Sequence, residues 1–239
     1  KAISDLKTGD VLVVAGKGHE ITQDYGNKKK TFSDKKEILK NIKIKNKNLS
    51  NNFKLNILKE LSLSNNISIK TKTKNASINS KEIQKNDIFF AIKGKKKDGN
   101  LFITEAFRNG ASLSIGNSSN NSSRQIKVKN TLKFLTDASS VIRKNTISKI
   151  IAITGSCGKT SLKELTGKTL GKIAKTTYSP KSFNNKFGVP LSLFNLKQDD
   201  EFGIFEIGMD KKGEIDFLSK MIKPDVGVIT NISYAHIKN

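Results

Sequence analysis

Arginine, cysteine and long apolar runs are all scarce in this chain, and each scarcity removes a class of function. Arg occurs at only three positions, 108, 124 and 143, although 44 Lys+Arg against 21 Asp+Glu give a formal net charge of +23. Such a charge invites nucleic acid or an anionic membrane. The lysines, however, are spread among Asn, Ile and Ser throughout, without an arginine cluster or an aromatic–basic stacking pattern. We therefore expect no nucleic-acid partner, and read the excess as a compositional drift toward Lys, Asn and Ile. A single cysteine, Cys157, excludes an internal disulfide framework and fits a reducing, cytoplasmic setting. No run approaches membrane-spanning length and no signal peptide is recognisable, so no membrane insertion is expected.

What is present centres on Ile150–Ser161. The short apolar run Ile150-Ile151-Ala152-Ile153 breaks at Thr154 and opens into Gly155, Ser156, Cys157, Gly158, Lys159, Thr160 and Ser161. The pattern predicts a buried strand, a glycine-bounded loop and a helix start. Such a loop aims backbone N–H groups and the positive helix end at one point, where an anion is stabilised. Lys159 adds a charge, and the Thr160 hydroxyl is suited to Mg²⁺ beside a phosphate. Only Ser156 and Cys157 separate Gly155 from Gly158, so the loop is a compact variant of the phosphate-binding pattern. The bland alternative is a glycine turn before an ordinary helix.

Further apolar runs, at 202–208 and 226–230, flank a helix over 214–221. Strand, helix, strand, helix, strand implies a parallel sheet with right-handed crossovers, whose strand ends converge on the glycine loop. Glu206 closes one of these runs, placing a carboxylate beside Thr160, and Asn231 closes the other. His236 follows, and spacing alone leaves it open as a second cation ligand or an ordinary histidine. The stretch 178–190 reads as a polar loop carrying Asn184 and Asn185. Upstream, strands over 87–92, 112–115 and 125–128 and helices around Phe102–Phe107 and Leu132–Ile142 make a small α/β domain from roughly 53 to 146. A short amphipathic helix is expected at 53–61, and the Lys/Asn-rich residues 44–52 read as a linker. In residues 1–43, Asp10–Val14 reads as a strand feeding the loop Ala15–Glu20. A ligand-facing loop and a solvated turn stay equally open there.

The four segments TGSCGKTS, SFNNKFGVPLSL, EIGMDKKGEI and PDVGVITNISYAH resemble, in order and spacing, the central ATPase domain of Mur ligases of the type that adds D-alanyl-D-alanine. The compact glycine spacing is shared with that family. Residues 79–111, NSKEIQKNDIFFAIKGKKKDGNLFITEAFRNGA, resemble the same enzymes' N-terminal domain, which holds the UDP end of the substrate. Here Asn79-Ser80-Lys81 stands where the family usually has Asp-Ser-Arg, and Asn100 where it commonly has His. Lysine keeps the charge but loses the bidentate fork.

The resemblance implies an ATP- and Mg²⁺-dependent ligase that joins D-alanyl-D-alanine to UDP-MurNAc-tripeptide through an acyl phosphate. In the family, matches to Gly155–Ser161 bind ATP. Matches to Thr160 and Glu206 hold one Mg²⁺, and the match to His236 helps hold another. Lys159, Glu206 and His236 are thus the implied catalytic residues. Asn184, Asn185, Asn231, Ser80 and Lys81 are implied on the substrate side. The rivals are another Mur or folylpolyglutamate-type ligase and a basic nucleic-acid-binding module.

The run AGKGHE and the following Phe-Ser-Asp resemble the C-terminal end of Mur ligases that add the third residue to UDP-MurNAc-dipeptide. Gly16 and Glu20 then match contacts to diaminopimelate. The expected organisation is α/β throughout. A remnant of another ligase's C-terminal domain (1–43) and a linker (44–52) precede an N-terminal domain (53–146) and a truncated P-loop ATPase domain (147–239). The whole is expected to be a slice through a two-ligase fusion, without ligase turnover of its own.

Overall fold

The computed structural model describes residues 2–6, 10–16, 20–63, 73–94, 97–118 and 123–233, with side chains at 4 and 44–52 excepted. The chain divides into two compact units, Lys1–Asn52 and Phe53–Asn239. In the first, α1 (Ala2–Asp5) precedes a hairpin of β1 (Thr22–Asp24) and β2 (Lys29–Thr31), paired antiparallel. Asp10–Val14, expected as a strand, is in no ladder, and Val11 and Val13 are 85% and 82% exposed. An apolar run becomes a strand only where a neighbour completes its hydrogen bonds, and β1 and β2 are each other's partners. α2 (Asp34–Ser62) starts after Ser33, whose Oγ accepts the Lys36 N–H at 3.4 Å. Residues 44–52, expected as a linker, are helical backbone within α2, and the expected separate helix at 53–61 is its last third. The sequence there contains neither Gly nor Pro, and Lys and Leu are good helix formers.

Among the described residues the second unit holds two parallel four-stranded sheets. One orders β3 (Ala76–Ser77), β4 (Ile88–Phe90), β5 (Leu113–Gly116) and β6 (Gln125–Lys127) side by side. α3 (Ile103–Arg108) and α4 (Thr131–Lys144) follow β4 and β6 in the chain. Asn130 caps α4, its side chain accepting the Lys133 N–H at 2.9 Å. The other sheet contains β7 (Lys149–Thr154), β8 (Thr176–Tyr178), β9 (Phe202–Glu206) and β10 (Val226–Ile229), in the order β10-β7-β9-β8. α5 (Lys159–Leu170), α6 (Gly188–Phe194) and α7 (Glu214–Ile222) make its crossovers. β8 and α6 were not expected. β8 is three half-buried residues with no apolar run, while α6 lies partly inside the stretch read as a polar loop. Pro190 is tolerated in α6 because it sits in the first turn, where its N–H would have no helical partner.

The larger of two hydrophobic clusters in this unit joins Phe90 of β4, Leu135 of α4, Phe194 of α6 and Phe205 of β9. Phe90 and Phe194 meet edge to face, with centroids 5.2 Å apart. Polar clasps supplement the packing. Asn195, just past α6, accepts the Ala76 N–H at 2.6 Å and donates to the Ala76 carbonyl at 2.9 Å. Asp225 accepts the Ile150 N–H at 2.8 Å and pairs with Arg143 and Lys149. That backbone hydrogen bond, more than the two cations, holds its carboxyl below the usual range.

Lys54 is buried near this joint, its Nζ 5.5 Å from the Phe194 ring centroid. Burial pushes its pKa from 10.5 down to about 8, with Lys197 assisting and Asp200 and Asp87 opposing. The unfolded chain then holds a proton that the folded one releases between those values, so stability rises with pH across that window. In urea titrations the stability of Lys54→Met relative to wild type should therefore fall between pH 8 and 10.5, by up to about 3 kcal/mol. A difference independent of pH would show that Lys54 keeps its proton when folded.

Candidate functional site

β7 delivers the chain to the glycine loop at the C-terminal edge of its sheet. Gly155 takes φ +132° and Gly158 φ +79°, in the region that side-chain-bearing residues avoid. A Cβ on Gly155 would run into the Thr230 hydroxyl and the Asn231 backbone, whereas one on Gly158 would meet open space. The reason for the crowding at Gly155 is that the loop is laced to the segment after β10. Ser156 N–H donates to the Asn231 carbonyl at 3.0 Å, and Cys157 N–H to the Asn231 side-chain oxygen at 3.0 Å. The Thr230 hydroxyl donates to the Cys157 carbonyl at 2.6 Å, and the Ser156 hydroxyl to that of Ser233 at 2.9 Å. Asn231 is thus a buttress of the loop, and its amide also contacts Cys157 Sγ at 2.9 Å.

α5 begins at Lys159 with Gly158 as its cap and no side chain accepting from its first turn. Its leading N–H groups therefore point outward with the positive helix end, an arrangement that stabilises an anion. Lys159 curls back, its ammonium donating to the Gly155 carbonyl at 2.6 Å and the Ser156 carbonyl at 3.2 Å. Ser161 is exposed on the same turn.

Thr160 Oγ1 donates to Glu206 Oε2 at 2.9 Å, joining α5 to the end of β9. Asn184 Nδ2 donates to Glu206 Oε1 at 2.8 Å from the loop after β8. Glu206 is 1% exposed, and these two partners of its carboxylate are neutral. Burying an ionised carboxylate against neutral donors alone is costly, and a divalent cation offsets that cost. The donor chemistry fits Mg²⁺, which takes one or two protein oxygens and fills its remaining positions with water and phosphate oxygens. No group of three or more His, Cys, Asp or Glu that could hold a metal occurs among the described residues. His236 lies outside the described residues.

Asn185 Oδ1 accepts the N–H groups of Phe187 and Gly188, both at 3.0 Å, and so caps α6. Ser80 and Lys81 line a cavity of about 640 Å³ beside the first sheet, together with Ile78, Phe89 and Phe102. The Ser80 hydroxyl is committed to Glu105 at 2.6 Å, while Lys81 is exposed. Gly16 and Glu20 belong to the other compact unit. A Cβ on Gly16 would meet the Asp34 carboxylate at 2.5 Å, and Lys17–His19 lie outside the described residues.

Two contributors were missed by sequence reasoning. Thr230 carries no signal beyond closing a strand. Lys163, one turn beyond Thr160, has a fully buried side chain that donates to the Lys181 carbonyl and contacts Glu164 at 3.1 Å. In so lysine-rich a sequence, nothing distinguishes it from its solvated neighbours.

Comparisons with known proteins follow the same division of the second unit. Residues 72–152 match the family described as Mur ligase family, catalytic domain, and residues 153–239 match the Mur ligase middle domain. A UDP-N-acetylmuramoyl-tripeptide--D-alanyl-D-alanine ligase of Buchnera aphidicola is 38% identical over 168 residues, covering 67% of this chain and 36% of that protein. The chain thus spans little more than a third of that relative's length. Among solved structures, MurF from Acinetobacter baumannii superposes with a TM-score of 0.65 at 30% identity, over 76% of this chain and 41% of that one. A MurF ligase from Thermotoga maritima, solved in complex with ADP, gives 0.58 at 34% identity, over 69% and 39%.

The two loop glycines should respond unequally to alanine. Gly155→Ala combines the unfavourable φ with a collision and should cost about 1–3 kcal/mol or more in denaturant unfolding. Gly158→Ala meets only the backbone strain, about 1–2 kcal/mol. Equal losses would mean that the segment after β10 is not packed on the loop.

Proposed function

Over residues 72–239 the chain belongs to the Mur ligase family, and on that premise we propose that it is part of an ATP-dependent ligase of peptidoglycan-precursor synthesis. The proposed reaction joins D-alanyl-D-alanine to UDP-MurNAc-tripeptide. The observation that carries the reading is the meeting of three sequence segments at one buried carboxylate, with Thr160 and Asn184 on either oxygen of Glu206 beside the glycine loop. That is the arrangement a nucleotide polyphosphate and its counter-cation require.

In this reading the N–H groups of Gly155–Ser161 take the polyphosphate, and Lys159 exchanges its loop carbonyls for phosphate oxygens. Thr160 and Glu206 would hold Mg²⁺, which supplies neutralisation of the charge on the transferring group, and His236 is proposed at a second cation. The tripeptide carboxylate accepts the γ-phosphoryl group from ATP, releasing ADP and giving an acyl phosphate, and the amine of D-alanyl-D-alanine then displaces phosphate to form the amide. Catalysis of this kind is chiefly positioning and charge stabilisation. Residues 53–146, with Ser80 and Lys81, are proposed to hold the UDP end, and residues 147–239 to form part of the ATPase domain. Residues 1–43 are proposed as the end of a second, preceding Mur ligase fused to this one, with Gly16 and Glu20 facing its amino-acid substrate. The setting proposed is the cytoplasm, without nucleic-acid partners; no helix among the described residues is long and apolar enough to cross a membrane.

Lys159→Ala in the full-length protein should lower ATP-dependent ligation by at least about 10²–10³-fold, the cost of removing one preorganised charge contact. Near-normal product formation by that variant would sink the assignment.

A further inference from the structure

The cavity beside the first sheet is not built by the N-terminal lobe alone. Its apolar walls include Ile78, Phe89, Ile92 and Phe102, with Lys81 and Lys97 also lining it, but Phe187 lines it as well. Phe187 comes from the ATPase lobe, in the residue immediately before α6. Its placement is fixed from several sides. Asn185 Oδ1 receives the Phe187 and Gly188 N–H groups, closing the turn. Asn184, at the start of that turn, donates to Glu206 at 2.8 Å, and its carbonyl receives the Gly208 N–H at 2.6 Å. Lys163 holds the Lys181 carbonyl from beneath, and Lys181 reaches Glu82 at 3.0 Å, beside the cavity's own Ser80-Lys81. Within four residues, one turn therefore touches the nucleotide-site carboxylate at one end and walls the cavity at the other.

We propose that Phe187 is a specificity residue of this cavity, its ring packing on the flat base of a nucleoside diphosphate whose phosphates are met by Lys81 and Lys97. The inference rests on the reading of the cavity as the pocket for a nucleotide-linked substrate, and adds a wall from the other lobe. Because Asn184 anchors the same turn to Glu206, a ligand resting on Phe187 is set in register with the phosphate loop. Phe187 thus positions one substrate against the other without touching the reacting atoms.

The test is calorimetric titration of uridine diphosphate into the 239-residue chain, with the phosphate loop first saturated by ADP and Mg²⁺. Phe187→Ala should weaken uridine diphosphate binding about tenfold, the loss expected when a base gives up one aromatic stacking partner. ADP affinity should stay within about twofold, since the loop's own contacts are untouched. Phe187→Leu keeps apolar bulk without a flat face and should fall between; it carries the test should the alanine variant fold poorly. Wild-type affinity for uridine diphosphate in both variants would overturn the inference while leaving the function reading intact. Parallel loss of both ligands in Phe187→Leu would mark a merely structural residue and overturn it too. Failure of the wild-type chain to bind uridine diphosphate would overturn the inference together with the reading of the cavity.

Discussion

The contact on which the second unit's architecture turns is the buried carboxylate of Glu206, gripped by Thr160 on one oxygen and Asn184 on the other. Each partner arrives on a different element, α5 and the loop after β8, and Glu206 itself ends β9. A carboxyl group placed where water cannot reach needs hydrogen-bond partners, and here both come from groups that must be in place at once. That requirement fixes how the glycine loop, the sheet edge and the turn before α6 sit together.

A second constraint runs along the opposite flank of the glycine loop. There the segment after β10 supplies the hydroxyl of Thr230 and the amide of Asn231, so that the loop is stapled to the end of a neighbouring strand of its sheet. Backbone N–H groups aimed at an anion work only if they do not reorganise when it arrives. The staples supply that stiffness from side chains that never need touch the ligand, which gives Asn231 a purpose other than substrate contact.

Much of this was legible in the sequence where chemistry and pattern coincide. Ile150–Ser161 announced strand, loop and helix, and the apolar runs ending at Glu206 and Asn231 named their own neighbours. Legibility failed where identity does not report environment. Asp10–Val14 reads as a strand but joins no ladder among the described residues. Residues 44–52 look like a linker by composition, although nothing in them breaks a helix. α6 hid behind a glycine and a proline, and with it the capping role of Asn185. Lys163 hid among dozens of its own kind; only burial separates a lysine that fastens a loop from one that merely solvates a surface.

The Asn195–Ala76 clasp has a consequence of another sort. Among the described residues β3 is the edge of its sheet, and a bare edge offers unpaired N–H and C=O groups to any passing strand. By taking both the N–H and the carbonyl of Ala76, the Asn195 carboxamide acts as a one-residue counterfeit strand. What joins two lobes thus also covers the backbone groups of one residue on an edge otherwise open to strand addition.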